Sequence, residues 1–464
     1  MSFEASVNGT HPSAGELTPR GGIEISLDPS GSGNAHSDAG HSEMDQEVFD
    51  VAIVGLGYVG LPTALSFHDA GYRVLGLDVN SNRLDTIRRR HVDLIEADRQ
   101  RLERAVEDSR FVLTADPVML RRSTAVAICV PTPVDEHLVP DLGPLMKACK
   151  SVVEHTVPGQ LVMLTSTTYV GCTEELLAAP LRSRGLIPGT DVFVAFSPER
   201  INPGTDAYAH ENVPRVVGGV TPACTEAALA LVAKCVNKVH PVSRAEVAEM
   251  SKLLENTFRA VNIALVNEFA DICSHLEIDV TEVVEAAATK PYGFMPFFPG
   301  AGVGGHCIPC DPQYLLWQLR KQRRTAPLIE LSMNEIALRP RHVVERVIRA
   351  LSDRGRRIRG ARVLLVGVAY KPDVEDLRES PALEIMEDLR HEGSVVSYYD
   401  PLIPVVRLRD GTEVESVTDP SAVQPDLVVV HTLHTGEDTN WLADQPQVLD
   451  ATYRLKNLPH VLHL

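Results

Sequence analysis

Between Phe298 and Pro312 the chain reads Phe-Pro-Gly-Ala-Gly-Val-Gly-Gly-His-Cys-Ile-Pro-Cys-Asp-Pro. Glycines at 300, 302, 304 and 305 remove the Cβ atoms that would keep a ligand off the main chain, and they permit positive φ in a tight loop. Cys307 and Asp311 follow. A thiolate nucleophile has to be partly exposed and electrostatically assisted, so glycines, a thiol and an acid in this order suit covalent chemistry. Two other readings fit the same residues. The loop can be a Gly/Pro connector whose cysteine is a small buried hydrophobe. Cys307 and Cys310 can also form a redox pair or half a zinc site, but structural zinc takes four ligands and no second Cys-x-x-Cys stands elsewhere, so no metal is expected.

About 50 residues upstream, Lys252 and Asn256 are spaced i, i+4 and therefore share a helix face. An ammonium beside an amide N–H suits a developing oxyanion, although a surface lysine next to a tolerated asparagine would look the same. Their helix is marked by Val247, Met250, Leu253, Leu254, Thr257, Phe258, Val261, Leu265, Phe269 and Ile272. From Ala245 that is about 30 residues, or roughly 45 Å, long enough to join domains or make a dimer interface.

The elements before this helix read as a parallel sheet. Val51 to Val54 is a short β-branched run that opens into Gly55-Leu-Gly57-Tyr58-Val59-Gly60. A helical spacing follows to Gly71, and a second strand, Val74 to Leu77, ends in Asp78. Gly-x-Gly-x-x-Gly between strand and helix, with an acid at the end of the next strand, is the dinucleotide-binding pattern: glycines admit a pyrophosphate to the helix N-terminus and the acid takes a ribose diol. Asp78 favours NAD over NADP; Arg83 is the residue able to argue the other way. Strands at Val126–Val130 and Leu161–Leu164 run into Thr132 and Thr167, whose hydroxyls stand where cofactors lie or else serve as turn caps. Val192–Phe196 ends at Glu199, which suits a general base or an ion pair with Arg200 in a solvated loop.

A second αβ unit starts at Val363–Val366 and continues through Tyr370, Lys371 and Arg378 to strands at Val395–Tyr399, Leu427–Val430 and Val448–Asp450. Ser380 and Pro381 read as N-cap and first residue of its helix. It lacks the glycine pattern and reads as a mononucleotide half, with Lys371 and Arg378 as phosphate contacts or as solvated charges.

The net charge of −18 argues against a nucleic-acid or anionic-membrane surface, and no apolar run reaches the roughly 18 residues of a spanning helix. A cytoplasmic protein with reduced thiols is the expectation. Residues 1–47 are polar and Gly/Ser-rich and read as a disordered leader. The expected architecture is α/β: two Rossmann-like αβ domains joined by a long central helix, divided as 48–240 (NAD), 241–345 (central, with the cysteine loop) and 346–464 (mononucleotide half).

Taken together, Gly55-Leu-Gly-Tyr-Val-Gly-Leu-Pro62, Pro131-Thr-Pro133, Ser166-Thr-Thr-Tyr-Val-Gly171, Ser197-Pro-Glu-Arg200, Lys252-Leu-Leu-Glu-Asn256, Gly304-Gly-His-Cys307, Ala369-Tyr-Lys-Pro-Asp373 and Asp376-Leu-Arg-Glu-Ser-Pro381 resemble the nucleotide-sugar 6-dehydrogenases of the UDP-glucose/GDP-mannose dehydrogenase family. The resemblance spans the chain from about residue 49 onward. It implies a four-electron oxidation of a sugar C6 alcohol to a carboxylate with two NAD, through a thiohemiacetal and a thioester on Cys307. It also implies Lys252 and Asn256 as oxyanion donors, Asp311 and Thr167 as handlers of water or a proton, and Glu199 as an aid to thioester formation or hydrolysis. Gly55, Gly57, Tyr58, Val59, Gly60, Asp78, Arg83, Thr132, Thr167 and Arg378 become NAD contacts. Glu199, Arg200, Lys252, Asn256, Phe298, Gly302, Gly304, Tyr370 and Lys371 become UDP-sugar contacts, in a homodimer or higher homo-oligomer. His306, Cys310 and the run from Thr289 are similar to the branch that oxidises UDP-N-acetylhexosamines. The alternatives are a UDP-glucose 6-dehydrogenase, a two-electron β-hydroxyacid dehydrogenase that needs no Cys307, and a non-catalytic nucleotide-sugar-binding homologue.

Overall fold

The computed structural model describes residues 48–92, 94, 96–200, 210–305, 307–455, 458 and 460–464. The expected leader, residues 201–209 and His306 lie outside them. Eight strands form the first sheet: β1 (Phe49–Val54), β2 (Val74–Leu77), β3 (Phe111–Thr114), β4 (Ser123–Ile128), β5 (Leu161–Leu164), β6 (Phe193–Phe196), β7 (Arg215–Gly219) and β8 (Val239–Pro241). Their order is β3-β2-β1-β4-β5-β6-β7-β8, and β7 alone runs antiparallel to its neighbour β6. The inner strands are apolar on both faces because each face is covered, one by a cluster around Leu75, Val126 and Phe196 and the other by one around Ile53, Leu65 and Met163. The short strands β3 and β8 at the edges, and β7 beside β8, carry too weak a pattern to be read from sequence.

The second sheet has five strands in the order β10-β9-β13-β14-β15, all parallel. These are β9 (Arg362–Val366), β10 (Val395–Tyr399), β13 (Leu427–Val430), β14 (Val448–Asp450) and β15 (Val461–His463), with a hairpin of β11 (Val405–Arg407) and β12 (Glu413–Glu415) between them. Ser380 caps the helix Pro381–His391 by accepting from the Ala382 N–H, as its sequence foretells.

The two sheets repeat one device. Gly55 after β1 has φ +90°, and Gly367 after β9 has φ +77°. A Cβ on Gly55 would stand 2.6 Å from the Cys129 carbonyl oxygen, so the turn off β1 admits glycine alone. At the end of β2, Asp78 accepts from the Leu56 N–H at 2.8 Å; at the end of β10, Asp400 accepts from the Val368 N–H at 2.8 Å.

The helix Ala245–His275 runs 31 residues between the sheets. Its faces divide by side-chain size. The buried face is mostly small, with Ala245, Ala248, Ala260, Ala264 and Ala270, so neighbouring backbone packs closely. The large residues Met250, Leu254, Phe258, Leu265, Phe269 and Ile272 are exposed. These fall within about 100° of one another, a continuous apolar stripe in solvent.

Candidate active site

The cysteine loop is fastened at both ends to the long helix. At its start the Gly300 N–H donates to Asn267 Oδ1 at 3.0 Å, and at its end the Asn256 amide donates to Asp311 Oδ2. Asp311 opens the helix Asp311–Lys321, and its N–H closes a turn on the Cys307 carbonyl at 2.9 Å. The Cys307 thiol is exposed and free; Cys310, three residues on, is buried and free.

The loop glycines also serve packing. Gly302 and Gly305 take positive φ, at +145° and +73°. A Cβ on Gly304 would meet Tyr370 Cβ at 2.6 Å and the Glu379 carbonyl at 2.8 Å, and one on Gly302 would meet Pro381. These two glycines let the loop lie against the second αβ unit, whereas the space in front of Gly300 is open. The Gly305 N–H completes the seam by donating to the Arg378 carbonyl at 2.9 Å.

Electrostatics single out two groups. Burial raises the Asp311 pKa to about 6, against the pull of Lys252 and the Asn256 amide. That value places its proton exchange close to neutral pH, as a general base requires. Although Cys307 reaches solvent, the protein crowded around its sulfur and the Asp311 carboxylate push the thiol up, while Lys252, Arg378 and Arg259 pull it down. The thiolate thus depends on the surrounding cations.

The loop bearing Thr167 is drawn to the same helix by Glu249. Its carboxylate accepts from the N–H groups of Gly171 at 2.5 Å and Thr173 at 2.9 Å and from the Thr173 hydroxyl at 2.7 Å. Thr167 is half-buried in this loop, as is Thr132 in the loop after β4. Glu199 accepts from the Arg200 main-chain N–H at 2.9 Å. Its carboxylate binds the Arg215 guanidinium and lies 3.4 Å from the Thr63 hydroxyl, while the Arg200 guanidinium pairs with Glu255 at 2.7 Å. The Arg215 and Thr63 contacts of Glu199 tie the end of β6 to β7 and to the helix after the glycine turn. Phe298 is exposed at the start of the loop.

On the cofactor side, the helix Gly60–Asp69 has no side-chain cap at Val59, and the space in front of Gly57 is open. Free helical N–H groups over an open glycine turn fit a pyrophosphate. Asp78 and Arg83 brace this turn, the guanidinium by donating through Nε to the Leu56 carbonyl at 2.9 Å. The equivalent Asp400 is occupied: Oδ2 takes the Val368 and Ala369 N–H groups, and Oδ1 takes the Leu402 and Ile403 N–H groups and lies 3.2 Å from His434 Nε2. With its lone pairs filled, it has none for a ribose diol, so the repeated device does not make a second dinucleotide site.

Arg378, expected at the cofactor, pairs with Asp376 at 2.5 Å and lies over the Tyr58 ring at 4.6 Å. It joins the glycine turn of the first sheet to the second unit. Lys371 lies 5.7 Å from the Tyr370 ring centre, and its pKa is lowered by burial and by Arg259.

Four residues that sequence reasoning passes over shape the site: Arg259, Asn267, Glu249 and Arg339. Arg339 is 1% exposed, donates to the Gly300 carbonyl at 3.1 Å and pairs with Asp271 at 2.7 Å. Only Arg259 carried a readable signal, its place seven residues after Lys252 on one helix face.

With this geometry in hand, the similarities to known proteins are direct. Residues 49–236, 246–335 and 364–456 match, in turn, the NAD binding, central and UDP binding domains of one family. The chain belongs to the UDP-glucose/GDP-mannose dehydrogenase family. It is 35% identical to a UDP-N-acetyl-D-glucosamine 6-dehydrogenase of Pseudomonas aeruginosa, over 83% of this chain and 90% of that one. It is 34% identical to a UDP-N-acetyl-D-mannosamine dehydrogenase of Salmonella typhi, over 82% and 92%. The solved structure of a UDP-D-ManNAc dehydrogenase from Pyrococcus horikoshii superposes with a TM-score of 0.81 at 32% identity, covering 89% of this chain and 98% of that one.

Proposed function

We propose that this chain oxidises the C6 alcohol of a UDP-N-acetylhexosamine to the carboxylate, consuming two NAD per sugar, with the acyl group held on Cys307. The observation that carries this reading is the exposed Cys307 thiol under three cations, with the buried Asp311 carboxylate one turn away. The names of the relatives above supply the sugar class.

Bound at the glycine turn, with Gly55, Gly57, Tyr58, Val59, Gly60, Asp78, Arg83, Thr132, Thr167 and Arg378 as its surroundings, NAD supplies the hydride acceptor for each oxidation. The chain's own residues do the rest. Lys252 stabilises the alkoxide as the O6 proton passes to a water held by Asp311 and Thr167. Cys307 adds to the aldehyde, so the intermediate stays in place between the two oxidations. Asp311, ionised above pH 6, takes a proton from the water that attacks the thioester. The Asn256 amide holds Asp311 in position, and Glu199 and Thr167 border the site. Tyr370, Lys371, Arg200, Phe298, Gly302 and Gly304 border the sugar nucleotide, in a fold read as 48–240, 241–345 and 346–464.

The exposed stripe of the long helix supports a homodimer, since an apolar face of this length is costly in water. No helix among the described residues is long and apolar enough to cross a membrane. We place the enzyme in the cytoplasm, where NAD and UDP-sugars are at hand.

The test is NADH formed per sugar at completion with UDP-N-acetylglucosamine, UDP-N-acetylmannosamine and UDP-glucose. Two NADH on an N-acetylhexosamine, with UDP-glucose slow, is the expected result. One NADH removes the thioester, and a preference for UDP-glucose overturns the substrate class. Cys307→Ala is expected to form no acid; retained turnover to acid in that variant would falsify covalent catalysis.

A further inference from the structure

One face of the long helix carries Lys252, Asn256, Arg259, Ile263 and Asn267, within an arc of about 80°. Two of these hold the ends of the cysteine loop, Asn267 at Gly300 and Asn256 at Asp311. Arg259 stands between them on the same face, the face to which both ends of the cysteine loop are tied. It is exposed, and among the described residues its guanidinium has no hydrogen-bond or ion-pair partner. Of the other two cations at the thiol, Arg378 is held by Asp376 and Tyr58, while Lys252 is a single ammonium on the Asp311 side of the same helix face. Arg259 is the guanidinium left to meet charge that arrives during the reaction.

The reaction proposed above creates such charge. Water adds to the thioester carbonyl carbon, the C–S bond breaks and its electron pair leaves with sulfur. The products are a carboxylate, a thiolate and two protons, one taken by Asp311 and the other by solvent. A neutral acyl group has become two adjacent anions, and like charges in a site partly shielded from water repel. A guanidinium is the side chain suited to a carboxylate, because its planar fork offers two parallel N–H donors.

We propose that Arg259 receives the C6 carboxylate of the product as it forms at Cys307, so that it governs product retention more than substrate binding. This rests on the dehydrogenase reading. Its proximity to the thiol is consistent with its electrostatic influence on both Cys307 and Lys371.

The experiment uses the full chain and the variants Arg259→Gln and Arg259→Lys. The purified UDP-uronate product is the inhibitor probe, and iodoacetamide labelling of Cys307 is followed across pH. In Arg259→Gln the inhibition constant of the uronate is expected to rise roughly 10- to 100-fold, as for loss of a charged hydrogen bond. The substrate KM should change less than about threefold if substrate and product differ at this contact alone. Arg259→Lys should fall between the two, and the labelling profile of Arg259→Gln should move to higher pH. An unchanged inhibition constant overturns the proposal. So does a parallel rise of KM and inhibition constant, which would place the guanidinium on the diphosphate that substrate and product share. If the parent enzyme makes no acid, the dehydrogenase reading falls first, a result visible before any variant is examined.

Discussion

The guanidinium of Arg339 donates through Nε to the carbonyl of Gly300 at 3.1 Å, so a residue of the helix Pro327–Asp353 fixes the first turn of the loop that carries Cys307. The same guanidinium pairs with Asp271 on the long helix and lies 3.4 Å from the Tyr453 hydroxyl in the second unit. Truncation would leave the Gly300 carbonyl without its donor, while Asp271, 51% exposed, can turn to water. Arg339→Ala should cost about 1–3 kcal/mol, as for a buried hydrogen-bonding group left unsatisfied, read by urea denaturation. Arg339→Lys should recover part of it, since an ammonium can meet Asp271 but cannot span all three partners.

Gly304 tests the seam between loop and second unit. A Cβ 2.6 Å from Tyr370 Cβ and 2.8 Å from the Glu379 carbonyl cannot be relieved by a rotamer change, because both are backbone or next to it. Gly304→Ala should destabilise by roughly 1–3 kcal/mol and lower kcat by moving Cys307. A variant of parental stability and rate would mean that the loop and second unit part easily.

Asp311 sets the pH dependence. Its folded pKa of about 6 lies above the ordinary 3.8. As a base it works ionised, so thioester hydrolysis should rise with pH through 6 and level off above it. The sign for stability is opposite. The neutral acid is the better-tolerated form, so its advantage is complete below pH 3.8 and is lost as pH rises through 6. Asp311→Asn should therefore be no less stable than the parent at pH 8, while acid formation falls about 100- to 10,000-fold. Thermal melts and single-turnover hydrolysis at several pH values measure both.

The exposed stripe gives the fourth prediction. Phe269→Glu, or Leu265→Glu with it, should convert a dimer to monomers in sedimentation velocity, since a carboxylate at the centre of an apolar interface is left unpaired. A parent that sediments as a monomer at micromolar concentration would remove the dimer from the account.

Much of this molecule can be read from local pattern. The inner strands were legible because burial on both faces makes them continuous β-branched runs, and the long helix because its period persists for 31 residues. Which face of that helix is buried was not legible. Large apolar residues suggest a core-facing stripe, yet alanines are what let other backbone approach, and the large residues are left outside. Glu199 shows the same limit. Arg200 is next to it in sequence, but Arg215, 16 residues on, is its partner, a choice made by the pairing of β6 with β7. Arg339 is separated from Gly300 by 39 residues and from Asp271 by 68, distances at which no spacing rule operates.

Arg378 over the Tyr58 ring has a consequence for turnover. In the proposed cycle the spent dinucleotide must leave and a fresh one enter while the sugar stays bound to sulfur, so the two lobes have to part midway through each round. A cation–π contact is worth about 0.5–2 kcal/mol, and opening it reduces the closed population by only a modest factor. A latch of that strength lets cofactor exchange keep pace with chemistry, and the carbon–sulfur bond of the thiohemiacetal, rather than the closed cleft, is what prevents the half-oxidised sugar from escaping.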